Sequence, residues 1–116
     1  PRVEYQKLAV EEETENSLTV RRRVQQARQI QLNRFKGEPI FCNAEMTNPL
    51  IKEHCQIDES GRDLIMRAVK KFNLSARSYF RILKIARTIA DLEKVEKLEV
   101  RHLAEAIQYR LPDSSS

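Results

Sequence analysis

The chain has no tryptophan, two glycines and two cysteines in 116 residues. Each scarcity removes a class of function. Glycine occurs only at Gly37 and Gly61. Neither a GxxxxGK[ST] phosphate loop nor a GxGxxG dinucleotide turn can therefore be written, because both need several glycines where backbone approaches phosphate. Cys42 and Cys55 are too few for a disulfide scaffold, and a reducing, cytoplasmic setting is expected. The histidines are His54 and His102. His54 beside Cys55 has metal-ligand chemistry, but a zinc site takes about four ligands in paired spacing. No CxxC or HxxxH is present, so no metal site is expected. Cys55 reads as a small buried apolar residue rather than a reactive thiol. No Ser/His/Asp or Cys/His arrangement has support from spacing, so no catalytic residue is expected within the chain. No run reaches the roughly 18 apolar residues of a membrane span, and no leader peptide is visible, so no membrane partner is expected. The chain starts at Pro1 without a methionine and is read as a fragment.

The same scarcities choose a fold class. Sheets need turn residues and β-branched or aromatic runs, yet aromatics are only 6%. An all-α fold, a small bundle of four to five helices, is expected. Hydrophobic residues at 41% against 33% charged suit one small domain with much surface. The net charge of +4 is unevenly spread. Residues 17–36 carry Arg21, Arg22, Arg23, Arg28, Arg34 and Lys36 and no acid. Residues 61–91 carry eight basic residues against Asp63 and Asp91. A solvated charged face explains such segregation, and so does an anionic partner.

Periodicity and capping residues place the elements. Residues 1–16 alternate weakly through Val3, Tyr5, Leu8 and Val10 into the run Glu11-Glu12-Glu13-Thr14-Glu15, and are read as an extended lead-in or linker. Ser17 is the expected cap of a helix over 18–36, with Val20, Val24, Ala27, Gln31 and Phe35 on its stripe. Gly37 and Pro39 end it. Thr47 or Asn48 caps a short helix to Cys55, with Pro49 in its first turn. Asp58 caps a helix over 59–72 that faces inward through Leu64, Ile65, Ala68, Val69 and Phe72. Ser75 starts a helix over 76–93 that is apolar over more than half its surface, the signature of a central bundle helix. Its basic exceptions, Arg77, Arg81 and Lys84, form one stripe with Thr88, and Arg87 lies beside it. A last helix over 99–110 faces inward through Val100, Leu103, Ala104, Ile107 and Leu111. The helical domain is thus set at 17–111, with 112–116 a disordered tail.

Arg77 is the informative exception. It falls in the first turn of its helix, where the macrodipole already carries partial positive charge and a cation costs about 0.3–1 kcal/mol. Two arrangements offset that cost. A carboxylate elsewhere can pair with it. Alternatively an anion can dock where free backbone N–H groups and the guanidinium converge, as phosphates do at helix N-termini. Arg81, one turn on, either extends such a site or is simply exposed.

The run Leu74-Ser75-Ala76-Arg77-Ser78-Tyr79-Phe80-Arg81-Ile82-Leu83-Lys84-Ile85-Ala86-Arg87-Thr88-Ile89-Ala90-Asp91-Leu92 closely resembles the C-terminal domain of the magnesium-chelatase-like AAA+ ATPases. The resemblance spans about residues 5–111 and includes Asn43-Ala44-Glu45-Met46, Cys55-Gln56-Ile57-Asp58 and His102 to Arg110. It implies a lid subdomain beside a phosphate-loop core that lies upstream, with the lead-in at 1–16 leaving that core. It also implies that Arg77 is the sensor 2 arginine, which reaches the β- and γ-phosphates of ATP, with Arg81 a second nucleotide-binding candidate. ATP and Mg2+ are implied for the parent and no cofactor for the fragment. The implied partners are the core of the same chain and neighbouring subunits of a homo-oligomeric, hexameric ring. DNA is a further implied partner, since the competence-protein branch of the family acts on DNA and the Leu-Ser-Ala-Arg run fits that branch. Two alternatives stand beside this reading: the lid of a true magnesium chelatase ATPase subunit, and a free-standing basic helical nucleic-acid-binding domain. Where relatives often turn with Gly or Ser after the central helix, this chain has Glu93-Lys94-Val95-Glu96.

Overall fold

The computed structural model describes the backbone of residues 2–109 and the side chains of residues 16–109. Five α-helices and one 3-10 turn follow in order: α1 Arg2–Arg34, the turn Asn43–Glu45, α2 Asn48–His54, α3 Glu59–Phe72, α4 Ala76–Leu92 and α5 Val100–Gln108. No strand occurs among the described residues. No helix among them is long and apolar enough to cross a membrane. Helix α4 is central and packs against α1, α2, α5 and the 3-10 turn, while α3 packs on α5. Ile82, Leu83, Ala86, Ile89 and Ala90 of α4 form the middle of the core.

The caps explain why the elements start and stop where they do. Asp58 accepts a 2.8 Å hydrogen bond from the Gly61 N–H, and Asn73 closes α3 in the left-handed conformation at φ 51°. Ser75 accepts from the Ser78 N–H at 3.1 Å and opens α4. Pro49 sits in the first turn of α2, where its missing N–H costs nothing. Gly37 takes φ 91° after α1, a backbone that L side chains resist. Gly61 has a different duty. A Cβ there would lie 2.7 Å from Leu103 Cδ1, so the close approach of α3 to α5 needs the bare backbone.

Three expectations are corrected. Residues 2–16 are helical, not an extended lead-in, and α1 is one helix of 33 residues. No proline or glycine interrupts residues 2–34, and the glutamates there are good helix formers. Val20 and Val24 of α1, Phe72 of α3 and Val100 of α5 are exposed rather than inward. Among the described side chains of α1 the first buried one is Ala27, and Val20 and Val24 lie upstream of it. Arg87 is buried, not surface-lying beside the basic stripe. Leu111 and the tail at 112–116 lie outside the described residues.

Arg87 is buried because Asp91 is. The Asp91 carboxylate is 1% exposed and accepts bonds from three side chains. Arg34 of α1 binds it with both terminal nitrogens, at 2.8 and 2.6 Å. Arg87 Nε donates at 3.2 Å, and Asn43 Nδ2 donates at 2.8 Å. Asn43 also accepts from Arg34 at 2.9 Å, and its N–H donates to Gln31 Oε1 at 2.9 Å. Among the described residues no buried side-chain polar atom is left without a partner.

The same arginine solves the turn after α4. Lys94 adopts φ 60°, where glycine is usual. Arg87 compensates by donating to the carbonyls of Val95 and Glu96 at 2.6 and 2.8 Å. Burial pulls the Arg87 guanidinium below its ordinary value, and the Asp91 charge works against that shift. Glu93 then ties the turn to α5 by accepting from Arg101 and bonding to His102 Nε2. His102 Nδ1 accepts the Glu99 N–H at 2.9 Å. That bond caps α5 and places the imidazole proton on Nε2.

Two stability measurements check these assignments. Ile82→Ala should cost about 2–5 kcal/mol through lost burial and a residual cavity. Asp91→Ala should cost about 3–5 kcal/mol, because it removes the carboxylate partner of the buried Arg87 and the half-buried Arg34. Urea unfolding of both variants reads these values, and an Asp91→Ala loss under about 1 kcal/mol would contradict the clamp.

Glu93 and Glu45 contribute to the acid limb of stability. Hydrogen bonds from Arg101 and His102 hold Glu93 below the usual carboxylate range. The Phe41 N–H and then the Cys42 thiol do the same for Glu45. A depressed folded pKa adds stability that is complete above the unfolded value and is lost as pH falls through the folded one. Thermal unfolding between neutral and acidic pH should therefore show falling stability, and Glu93→Gln should flatten part of that fall. An unchanged acid limb in Glu93→Gln would remove Glu93 from the account.

Candidate functional site

Along α4, the polar face opposite the core carries the candidate site. Ala76 and Arg77 are the first two residues of the helix, and their N–H groups precede the first intrahelical bond. The Ser78 N–H is taken by Ser75. Arg77 is exposed and, among the described residues, forms no ion pair. Arg81, one turn on, is exposed as well.

Both arginines line a groove of about 520 Å3 with Lys84, Thr88, Ala44, Ile85 and Ile89. Its lining holds three cations and no acid. The far wall is Ala44 of the 3-10 turn, whose carbonyl accepts from Lys84 Nζ at 3.2 Å. Thr88 donates to the Lys84 carbonyl at 3.1 Å and accepts from Asn43 Nδ2 at 3.1 Å. The groove floor is therefore bonded through Asn43 to the buried Asp91 clamp. Such a surface can accept phosphoryl or carboxylate oxygens at its Arg77 end. It has no nucleophile activated by a base.

The stripe Arg77, Arg81, Lys84 and Thr88 is legible in the sequence. The Ala44 wall is not, because the 3-10 turn lies some forty residues away in the chain. Arg34, Arg87 and Asp91 were also missed as a buried cluster. A signal existed for part of it: Leu83, Arg87 and Asp91 follow one another at i, i+4 and i+8, which places a charge pair on the inward stripe.

The other sequence candidates fall elsewhere. His54 faces Phe35 edge-on, with ring centroids 5.5 Å apart, and lies 3.3 Å from Glu53. Cys55 is buried in the core, and burial pushes its thiol up to about 11, which keeps it protonated. Among the described residues no group of three His, Cys, Asp or Glu side chains comes together as a metal cage. A wider cleft of about 770 Å3 is lined by Arg34, His54, Arg87, Asp91 and the 94–98 turn. The charged groups at its floor are already bonded to one another.

The sequence profile of the family described as magnesium chelatase, subunit ChlI C-terminal, matches residues 14–110. The chain is 38% identical over 96 residues to the competence protein ComM of Haemophilus influenzae, covering 83% of this chain and 18% of that protein. It is 34% identical over 99 residues to the uncharacterized protein YifB of Escherichia coli K12, covering 85% of this chain and 19% of that one. The chain thus spans less than a fifth of the length of these relatives.

The geometry makes Arg77 dispensable for folding. Arg77→Ala should change unfolding free energy by no more than about 0.5 kcal/mol, as for an unpaired surface residue, with any shift towards greater stability. Chemical denaturation of the chain measures it. A loss above about 1 kcal/mol would mean that Arg77 has a structural partner.

Proposed function

The chain belongs to the magnesium chelatase subunit ChlI C-terminal family, and from that premise we propose that it is the lid of a ring-forming AAA+ ATPase, with Arg77 as its sensor 2 arginine. The observation that carries this reading is an exposed arginine at a helix N-terminus, facing an acid-free cationic groove. Helix N-termini and guanidinium groups are both suited to phosphoryl oxygens. Arg77 would stabilise charge on the γ-phosphoryl group and couple that charge to the position of the lid. Arg81 would extend the contact one turn further. The described residues offer no acidic cluster for Mg2+, so Mg2+ and most nucleotide contacts fall to the core of the same chain.

The rest of the reading follows the family. The parent binds ATP, assembles as a homo-oligomeric ring of six subunits in the cytoplasm, and uses its motor on DNA. The DNA-directed branch is favoured by the Leu74-Ser75-Ala76-Arg77 run and by the likeness to a competence protein. The second reading, the ATPase subunit of a true magnesium chelatase, is favoured by the family description alone.

Steady-state ATPase rates and nucleotide affinities of the full-length protein test the arginine. Arg77→Ala should lower hydrolysis by orders of magnitude or weaken ATP binding. Arg77→Lys should rescue poorly, because an ammonium group cannot make the bidentate contact. The 116-residue chain by itself should neither hydrolyse ATP nor bind it tightly. Wild-type rates in both full-length variants, or micromolar ATP affinity in the isolated chain, would overturn the assignment.

A further inference from the structure

Helix α1 presents cations that form no ion pair among the described residues. Arg21, Arg22, Arg23 and Arg28 are all exposed. An arginine on a helix surface can pair with an acid three or four residues away. For each of these four, every such position in both directions holds Ser, Leu, Thr, Val, Gln or Ala. The macrodipole does not account for them either. Its effect fades within the last turn, whereas Arg28 and Arg21 lie about 9 and 20 Å before the helix end at 1.5 Å per residue.

Their surroundings are as unusual as their charge. Residues 16–25 are exposed without exception, so this length of α1 stands clear of the bundle on all sides. Arg21 and Arg28 fall on one line of the helix, Arg22 about 100° round from it and Arg23 about 200° round. A protein surface would cover one side of such a helix and leave the other cations unanswered. A groove walled on both sides by phosphates answers them all. The major groove of duplex DNA is about 12 Å wide, and a helix with its side chains measures about 10–12 Å. Continuous basic helices lie in that groove in known DNA-binding motifs. The side chains interleaved with the arginines include Gln25, Gln26 and Gln29, whose amides can pair with base edges.

We propose that the segment of α1 around Arg21–Arg28 is a DNA-binding helix, which enters the major groove of duplex DNA and sets its arginines against the phosphates of both strands. The proposal names a contact surface for the DNA-directed part of the function above and rests on that part. It does not depend on the sensor role of Arg77, which lies on another helix.

The test is the salt dependence of binding between the 116-residue chain and a short labelled DNA duplex. Four phosphate contacts predict an affinity that falls about 150-fold between roughly 50 and 200 mM salt. Arg21→Gln with Arg28→Gln should cut that fall to about 10-fold, since each contact removed lowers the log–log slope by about 0.9. Glutamine preserves helix propensity, and circular dichroism checks that the fold is kept. Arg21→Lys with Arg28→Lys should retain the wild-type slope. The control is Lys70→Gln with Lys71→Gln on α3, also exposed, which should leave the slope unchanged. An unchanged slope in the α1 variant with a reduced one in the α3 control would overturn the helix while leaving the DNA reading standing. Polyglutamate of matched charge competing as well as DNA would overturn it in favour of an acidic protein partner. Absence of duplex binding at low salt would overturn it too, and DNA stimulation of the full-length ATPase would then decide the DNA-directed reading separately.

Discussion

The structure depends on one buried carboxylate. Asp91 sits 1% exposed at the end of α4 and is held by Arg34, Arg87 and Asn43. Burying an ion is expensive, and the cost is offset only when geometry is good and the remaining polar atoms are satisfied. Both conditions are met. Arg34 makes a two-nitrogen fork onto the carboxylate, and Arg87 spends its other nitrogens on the carbonyls of the following turn. An apolar cluster in the same place would hold α1 against α4 in many registers. The fork admits few, because its bonds are directional. The clamp thus fixes where a long helix joins a small bundle, and it lets a turn lacking glycine close after α4.

The parts of the fold legible in the sequence are those written in short-range code. Asp58, Asn73 and Ser75 mark their helix ends because capping is a contact across three or four residues. The inward face of α4 is legible because its period is local. The extent of α1 is not legible from the weak alternation of Val3, Tyr5, Leu8 and Val10, which points to an extended segment, although nothing between residues 2 and 34 prevents a helix. Val20 and Val24 fall at helical spacing with Ala27 yet are exposed. A pattern states what could be buried, and only the tertiary arrangement states whether a neighbour is there. The Arg34–Asp91 pair spans 57 positions, and no local rule points from one to the other. The candidate site divides the same way. Arg77 is conspicuous as a cation in a first turn, whereas the groove around it depends on Ala44, brought in by the loop after α1.

Helix α4 connects these features. Its 17 residues make a rod of about 25 Å, with Arg77 at one end and Asp91 at the other. Along the way Lys84 holds the Ala44 carbonyl and Thr88 accepts from Asn43. Asn43 bonds in turn to Gln31 and Arg34 of α1. The groove wall, the rod and the root of α1 therefore share one continuous set of hydrogen bonds. A close-packed core and a satisfied polar network are stiff. The projecting helix and the cationic groove lie on different elements and differ in chemistry. The Asp91 clamp joins the two helices that carry them.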